Sequence, residues 1–404
     1  MTTSAFTPLA TCPPTAFMPS RHATPRVLTA SYEVFEAMTR GLSDYGQRTL
    51  AGRMTPFEAI ADAMSWWTAV TNRRTPTWSN PHEIVFETPL ARLRDFSRGT
   101  QDAVVPTLVL PPQAGHDSCI VDYSQAQSQV MVIRAAGLTR AYSLDWIGAT
   151  EATKDASIQD YLAVISQAIE HIGEPVNLIG DCQGGWLATI YAALHPEQVH
   201  TLTLAGAPID MHAGDAAIGD YVKHFSEGGD MAFFEWIVAS GGGVLKGELM
   251  VAGFIAMKPD DEISRQLELL GRMGDPDYVA RYAAFEDWFK HTQDIPGAFY
   301  LWIVKHLFRD NELFRGELEI GGERVDLGRI GCPVNLLAGA NDHITPPAQL
   351  FALAGAVSTP PKQIFKRIAH GGHLGLFMGS RALRDDWPPV LANVYAASTR
   401  AARS

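Results

Sequence analysis

Cysteine is scarce in this chain and widely scattered. Four cysteines (Cys12, Cys119, Cys182 and Cys332) in 404 residues form no C-x-x-C pair and no His/Cys cluster. That argues against a zinc module or a disulfide framework and fits a reducing, cytoplasmic compartment. Long hydrophobic runs are missing too, so no membrane-spanning helix is expected. The first 25 residues lack the basic start and apolar core of a signal peptide. Positive charge is in deficit: 32 Lys and Arg against 44 Asp and Glu leave a net charge of −12. Nucleic acid and anionic membranes are therefore not expected as main partners.

What is present is organised around residues 176–186. The β-type residues Val176, Leu178 and Ile179 lead to Gly180-Asp181-Cys182-Gln183-Gly184-Gly185, and a helix-forming stretch follows from Leu187 to Leu194. This is the strand–turn–helix setting of a nucleophile elbow, G-x-S-x-G, with Cys182 in the place of serine. Side chains at Gly180 or Gly184 would clash in so sharp a turn. A buried structural cysteine would satisfy the short motif equally well, so the rest of the chain decides. Asp181 stands out, because a carboxylate beside the sulfur opposes negative charge there unless it points away.

The surrounding pattern is α/β. Residues 1–27 read as a loose Pro/Thr/Ala-rich tail, and 28–80 as a helical segment with two amphipathic helices. Their apolar stripes are expected to pack on the main domain or, as the second reading, on a partner. From residue 83 strands appear (83–87, 90–96, 106–110, 141–146, 176–181, 199–205). They alternate with helices at 158–172 and after the elbow, and a further helix is predicted over 120–132. Strands apolar on both faces, separated by helices, predict a mostly parallel sheet. The alternation stops at Pro208 and resumes at 333–339 and 363–365, with a closing helix from Trp387. The expected organisation is thus a core of 81–211 and 329–404 with a helical lid or cap inserted at 212–328. Such an insert would cover the carboxyl ends of the strands, where open α/β sheets bind ligands. Its aromatics, including Phe225, Phe233, Phe234, Trp236, Trp288, Phe289 and Phe299, are expected to be mostly lid core.

A nucleophile needs a base and an orienting acid. Asp342 lies just past the 333–339 strand, and His370 and His373 lie on a glycine-rich loop past the next one. Nucleophile, acid and histidine come in the chain order of α/β-hydrolase triads. Oxyanion donors would be the backbone N–H of Gln183 and one from the loop after the third strand, here Ala114. His116 on that loop and His343 beside the acid are auxiliary candidates.

Over residues 80–395 the chain resembles polyhydroxyalkanoate synthases and the intracellular thiol-type polyhydroxyalkanoate depolymerases, both of the α/β-hydrolase fold. The synthase-like pieces are the 180–185 box, the Asp342-His343-Ile344-Thr345-Pro346-Pro347 run and the long 311–327 stretch. The 207–210 and 252–260 segments look more like depolymerases, and 369–377 is similar to both. The resemblance implies nucleophile Cys182, acid Asp342 and base His373, and it favours His373 over His370. It implies no metal or organic cofactor, only a coenzyme A thioester as substrate. It also implies 3-hydroxyacyl-CoA or hydroxyalkanoate polyester as the partner molecule, with a granule surface or second subunit; a homo-oligomer is expected. After the third strand, synthases usually carry an Asn-Arg-Pro-Tyr-like segment, whereas here the chain reads Ala114-Gly115-His116-Asp117-Ser118. That departure bears on the direction of reaction. The 311–327 match places polymerisation first, hydrolysis second, and a non-catalytic granule-associated protein third.

Overall fold

The computed structural model describes residues 24–51, 54–97, 104–226, 229–257 and 259–401. Cys12 and the tail expected over 1–27, up to residue 23, lie outside them. The chain divides into two units, Met1–Thr71 with Ile255–Tyr282, and Asn72–Phe254 with Ala283–Ser404. In chain order the elements used below are α1 (Thr24–Ala51), α2 (Pro56–Thr71), β1 (Glu83–Glu87), β2 (Ala91–Asp95), β3 (Thr107–Leu110), α3 (Gln129–Ala135), β4 (Ala141–Trp146), α4 (Ile158–Ile172), β5 (Val176–Asp181), α5 (Gln183–Leu194) and β6 (Val199–Ala205). There follow α6 (Ala217–Phe225), α7 (Ala232–Ser240), α8 (Gly247–Met257), α9 (Pro259–Gly271), α10 (Pro276–Phe289), α11 (Gly297–Trp302), α12 (Glu312–Arg315), β7 (Val334–Gly339), α13 (Pro347–Phe351), β8 (Ile364–Ala369), α14 (Gly375–Met378) and α15 (Trp387–Ala401).

In the second unit, eight strands form one sheet in the order β1-β2-β4-β3-β5-β6-β7-β8. From β4 onward every neighbouring pair is parallel, and β2 is antiparallel to both β1 and β4. This is the α/β-hydrolase sheet. Its central strands are buried along their whole length because helices cover both faces, which is why they read as unbroken apolar runs. Register brings the strand ends level: Gly180 lies opposite Leu110 and Leu204, Asp181 opposite Ala205, and Gly339 opposite Ala369. The loops after β5, β6, β7 and β8 therefore leave from one edge.

The helix expected over 120–132 is absent as such. A 3-10 turn at Ser118–Val121 is capped by Asp117, whose side chain accepts from Cys119 N, and a short hairpin (Asp122–Ser124, Gln127–Ser128) follows. Only then does Ser128 cap α3 by accepting from Met131 N at 3.1 Å. Asp122 breaks the helical reading because both its carboxylate oxygens hold Asn80.

The 212–328 stretch is shared between the two units. In the second unit, Ile237, Phe299, Ile303 and Leu307 join the same buried cluster as Leu108, Leu178 and Leu204 of the sheet. Phe299 of α11 stacks on Tyr161 of α4 with ring centroids 4.0 Å apart. Phe234, Trp288, Phe289 and Phe299 are buried, whereas Trp236 is exposed. Asn311 sits in left-handed backbone (φ +51). Its Oδ1 accepts from Met211 N at 3.0 Å, and its Nδ2 donates to Asp210 Oδ1 at 2.8 Å. The start of the 311–327 stretch thus ties the end of the insert to the loop after β6.

In the first unit, α1 runs close along α9. A Cβ at Gly41 would meet Leu267 O at 2.7 Å, so glycine permits the approach. A small core of Ala69, Leu269, Met273 and Tyr282 is closed by Trp66, which donates to Gln266 O. The α2 stripe of Phe57, Ile60, Met64 and Trp67 was expected to pack; all four side chains are exposed. Among the described residues no helix is long and apolar enough to cross a membrane.

Candidate active site

The elbow forms at the end of β5. Cys182 adopts φ 50, ψ −116, and it shares positive φ with only one other non-glycine among the described residues, Asn311. Such a conformation costs about 1–3 kcal/mol and persists only where the surroundings enforce it. Here the surroundings are glycines. A Cβ at Gly184 would meet Leu110 O at 2.0 Å, at Gly180 it would meet Gly184 O at 2.5 Å, and at Gly185 the Cβ of Ala207 at 2.2 Å. The turn is pinned by Cys182 N donating to Ala205 O (2.8 Å) and Gly185 N donating to Cys182 O (2.9 Å). Cys182 itself is half-buried.

The acid and base come from adjacent loops. Asp342 follows β7, and its Oδ1 accepts from the N–H groups of Ile344 (3.0 Å) and Thr345 (2.8 Å). Its Oδ2 pairs with His373 Nδ1 at 2.7 Å. Both side chains are buried. Gly206, just past β6 in left-handed backbone, leaves room for the imidazole, since a Cβ there would lie 3.3 Å from His373 Cε1. Phe377 of α14 meets the ring edge-on at 5.3 Å. His373 Nε2 is buried and has no hydrogen-bond partner among the described residues, so it is the ring nitrogen left open. Burial alone would push the imidazole down. The charges of Cys182 and Asp342, with the hydrogen bond that Nδ1 makes to Asp342, outweigh it and hold His373 well above its usual value.

The remaining candidates are placed as follows. Gln183 is the first residue of α5, so its N–H has no intrahelical acceptor, and it points from the positive end of the helix. Ala114 is half-buried on the loop after β3. His116, two residues on, packs its ring against those of Trp288 (centroids 4.8 Å) and Phe289 (5.2 Å), which are themselves neighbours at 6.4 Å. Burial pushes its pKa down to about 4, against backbone hydrogen bonds that raise it, so the ring is neutral and packs as an aromatic wedge. His343 is half-buried beside the acid, with its carbonyl accepting from Ala217 N, and His370 is exposed ahead of Gly371. The structure also brings in a residue that no sequence motif selects. Gln129 of α3 donates from Nε2 to Asp181 Oδ1 at 3.2 Å. No spacing signal links two residues 52 positions apart in the chain.

The arrangement brings to one edge of the sheet a thiol at the mouth of a helix and an imidazole with one open ring nitrogen, the other being fixed by a carboxylate. That is the equipment for acyl transfer through a thioester. Among the described residues no group of three or more His, Cys, Asp or Glu is disposed to hold a metal.

Known proteins share this chain's pattern. The chain is 27% identical over 324 residues to the poly(3-hydroxyalkanoate) polymerase subunit PhaC of Allochromatium vinosum, covering 78% of this chain and 88% of the relative. It is 25% identical, with the same coverage, to the protein of that name from Thiocystis violacea. Among solved structures it is similar to a Paleococcus ferrophilus monoacylglycerol lipase, at 18% identity and a TM-score of 0.44, covering 76% of this chain and 99% of that one. A family model described as "Protein of unknown function (DUF3141)" matches residues 89–391, three quarters of the chain, and the chain therefore belongs to that family, with the polyhydroxyalkanoate polymerases among its relatives.

Proposed function

We propose that this enzyme transfers 3-hydroxyacyl groups from coenzyme A thioesters to a growing polyester, through an acyl-enzyme on Cys182. The observation that carries the reading is the Asp342–His373 pair at 2.7 Å, on loops level with the strained Cys182 elbow. Likeness to polymerase subunits over most of the chain supports the substrate class.

The steps follow from the groups present. His373 Nε2 takes the thiol proton while Asp342 holds the proton on Nδ1. The sulfur attacks the thioester carbonyl, and the developing oxyanion is met by the N–H groups of Gln183 and Ala114. The carbon–sulfur bond to coenzyme A breaks, and the leaving thiolate receives the proton from His373. The hydroxyl of the acceptor chain then gives its proton to His373 and attacks the acyl-enzyme, which restores Cys182. Nucleophile, base and oxyanion donors suffice for this chemistry, so no metal or organic cofactor is invoked. The exposed apolar side chains of α2 are the surface this reading offers to a granule or a second subunit.

One observation favours a second reading. The loop after β3 carries Gly115-His116, with Gly115 in left-handed backbone and His116 stacked against two neighbouring aromatic rings, where synthase-type chains carry a different segment. With water as acceptor, the same triad becomes a polyester hydrolase. Purified protein offered 3-hydroxybutyryl-CoA, and separately amorphous polyester, separates the two. Free coenzyme A with insoluble polymer is the expected result. Soluble hydroxy acids released from polyester, with no turnover of the thioester, would overturn polymerisation in favour of hydrolysis.

A further inference from the structure

A buried carboxyl group stands one residue before the proposed nucleophile, and the acyl-transfer steps make no use of it. Asp181 is the last residue of β5, fully buried and one position before Cys182. Gln129 of α3, equally buried, donates from Nε2 to Asp181 Oδ1 at 3.2 Å. The other oxygens of these two joined side chains, Asp181 Oδ2 and Gln129 Oε1, are both buried and both lack a donor. For a carboxylate this is a costly arrangement: a buried charge with one hydrogen bond, beside an amide oxygen with none. A single proton resolves both deficits. A carboxylic acid and a primary amide match edge to edge, with N–H donating to one carbonyl and O–H to the other.

We propose that Asp181 is a neutral, protonated acid paired with Gln129, a positioning group that keeps negative charge away from the back of Cys182 while the enzyme works. The proposal rests on Cys182 being the nucleophile. Titratable groups facing Asp181 are Cys182 along the chain and His373 from the loop after β8, with Asp342 on the far, Nδ1 side of the imidazole. From α3 comes only the uncharged Gln129, and from β6 the paired residue is Ala205. Burial drives the carboxyl up to about 8, and the Gln129 hydrogen bond and the charge of His373 offset only part of this. A charged Asp181 would oppose the charge that Cys182 must develop in order to attack. Neutral, it carries no such penalty.

Asp181→Asn tests this, because asparagine reproduces the neutral acid: its carbonyl accepts from Gln129 Nε2 and its NH₂ donates to Gln129 Oε1. Two readings are taken on the full-length protein, denaturant stability against pH and the rate of Cys182 alkylation by iodoacetamide against pH. An acid whose folded-state affinity for its proton is raised loses stability as pH climbs from its unfolded value toward its folded one. The ratio of the two proteins' unfolding constants should therefore change about tenfold per pH unit, in favour of Asn, from about pH 5 to about pH 8, and level off above. Wild-type alkylation should show an inflection near pH 8 that Asp181→Asn lacks. A stability ratio independent of pH across this window would show a carboxylate and overturn the proposal. Alkylation that maps away from Cys182 would instead defeat the nucleophile assignment, while the stability comparison still reads the proton on Asp181. The infrared spectrum of the wild type needs no substitution. A protonated-carboxyl stretch at neutral pH that vanishes on alkaline titration, and is missing from Asp181→Asn if that variant folds, is expected. Its absence from the wild type at neutral pH would be decisive against the idea.

Discussion

Cys182→Ala is expected to reduce 3-hydroxyacyl transfer by roughly 10⁴–10⁶-fold, to the level left by binding and the oxyanion donors alone. No other thiol among the described residues can substitute. Cys119 is buried with its thiol pushed far up by desolvation and nearby carboxylates, and burial likewise pushes Cys332 up, to about 11. Neither lies on an elbow. The fold should survive, because alanine has the same backbone difficulty at φ 50 as cysteine and loses only a half-buried sulfur. Coenzyme A release and thermal melting, measured together, read the two effects separately. A folded Cys182→Ala protein that retains more than a few per cent of turnover would dismiss the thiol, and a scaffold role would predict no loss of any kind.

Asp342→Asn should cost about 10³–10⁴ in kcat while leaving KM nearly unchanged, for a reason that lies in hydrogen-bond direction. Asn Oδ1 can still accept from the N–H groups of Ile344 and Thr345, so the loop holds. Its NH₂ must then face His373 Nδ1, and a donor there forces the imidazole proton onto Nε2. The nitrogen that should accept the thiol proton is occupied. The pH profile should move as well. Asp342 is one of the groups holding His373 above its usual value, so without that carboxylate the acid limb, where His373 loses its proton and becomes able to take that of the thiol, shifts to lower pH. Stability follows the same linkage. A base whose folded value is raised contributes fully below its unfolded value of about 6.5 and ceases to contribute as pH rises through the folded one. The stability gap between wild type and Asp342→Asn should accordingly be widest on the acid side of this range and narrow on the alkaline side. A variant with full activity and an unmoved acid limb would remove Asp342 from the site.

Much of this site was legible because it depends on strand ends. The strands are rich in apolar residues, and the bounds read for 141–146 and 199–205 coincide with those of the sheet, while the run read as 333–339 begins one residue later, at Val334. Once strands are parallel and in register, residues just past their ends meet, so the order Cys182, Asp342, His373 already implied proximity. The 2.7 Å pairing of the last two follows from that register. Other features depend on contacts remote in sequence and left no periodic trace. The stretch 120–132 has helically spaced apolar residues, yet Asp122 is claimed by Asn80 and breaks it. Asp181 was recognised as an oddity beside a thiol, but its resolution lies in Gln129, which nothing in the local pattern marks. The α2 stripe had the right spacing for a core and is nonetheless exposed, because spacing shows that a face is apolar without showing what covers it.

A covalent bond to one sulfur is what the proposed chemistry most directly requires. Protein quenched in acid during turnover of 3-hydroxybutyryl-CoA, then digested and weighed by mass spectrometry, is expected to carry a 3-hydroxybutyryl group on the peptide containing Cys182 and to carry none in Cys182→Ala. An acyl group found on any other residue, or steady turnover with Cys182 unmodified in both rapid-quench and steady-state samples, would contradict it.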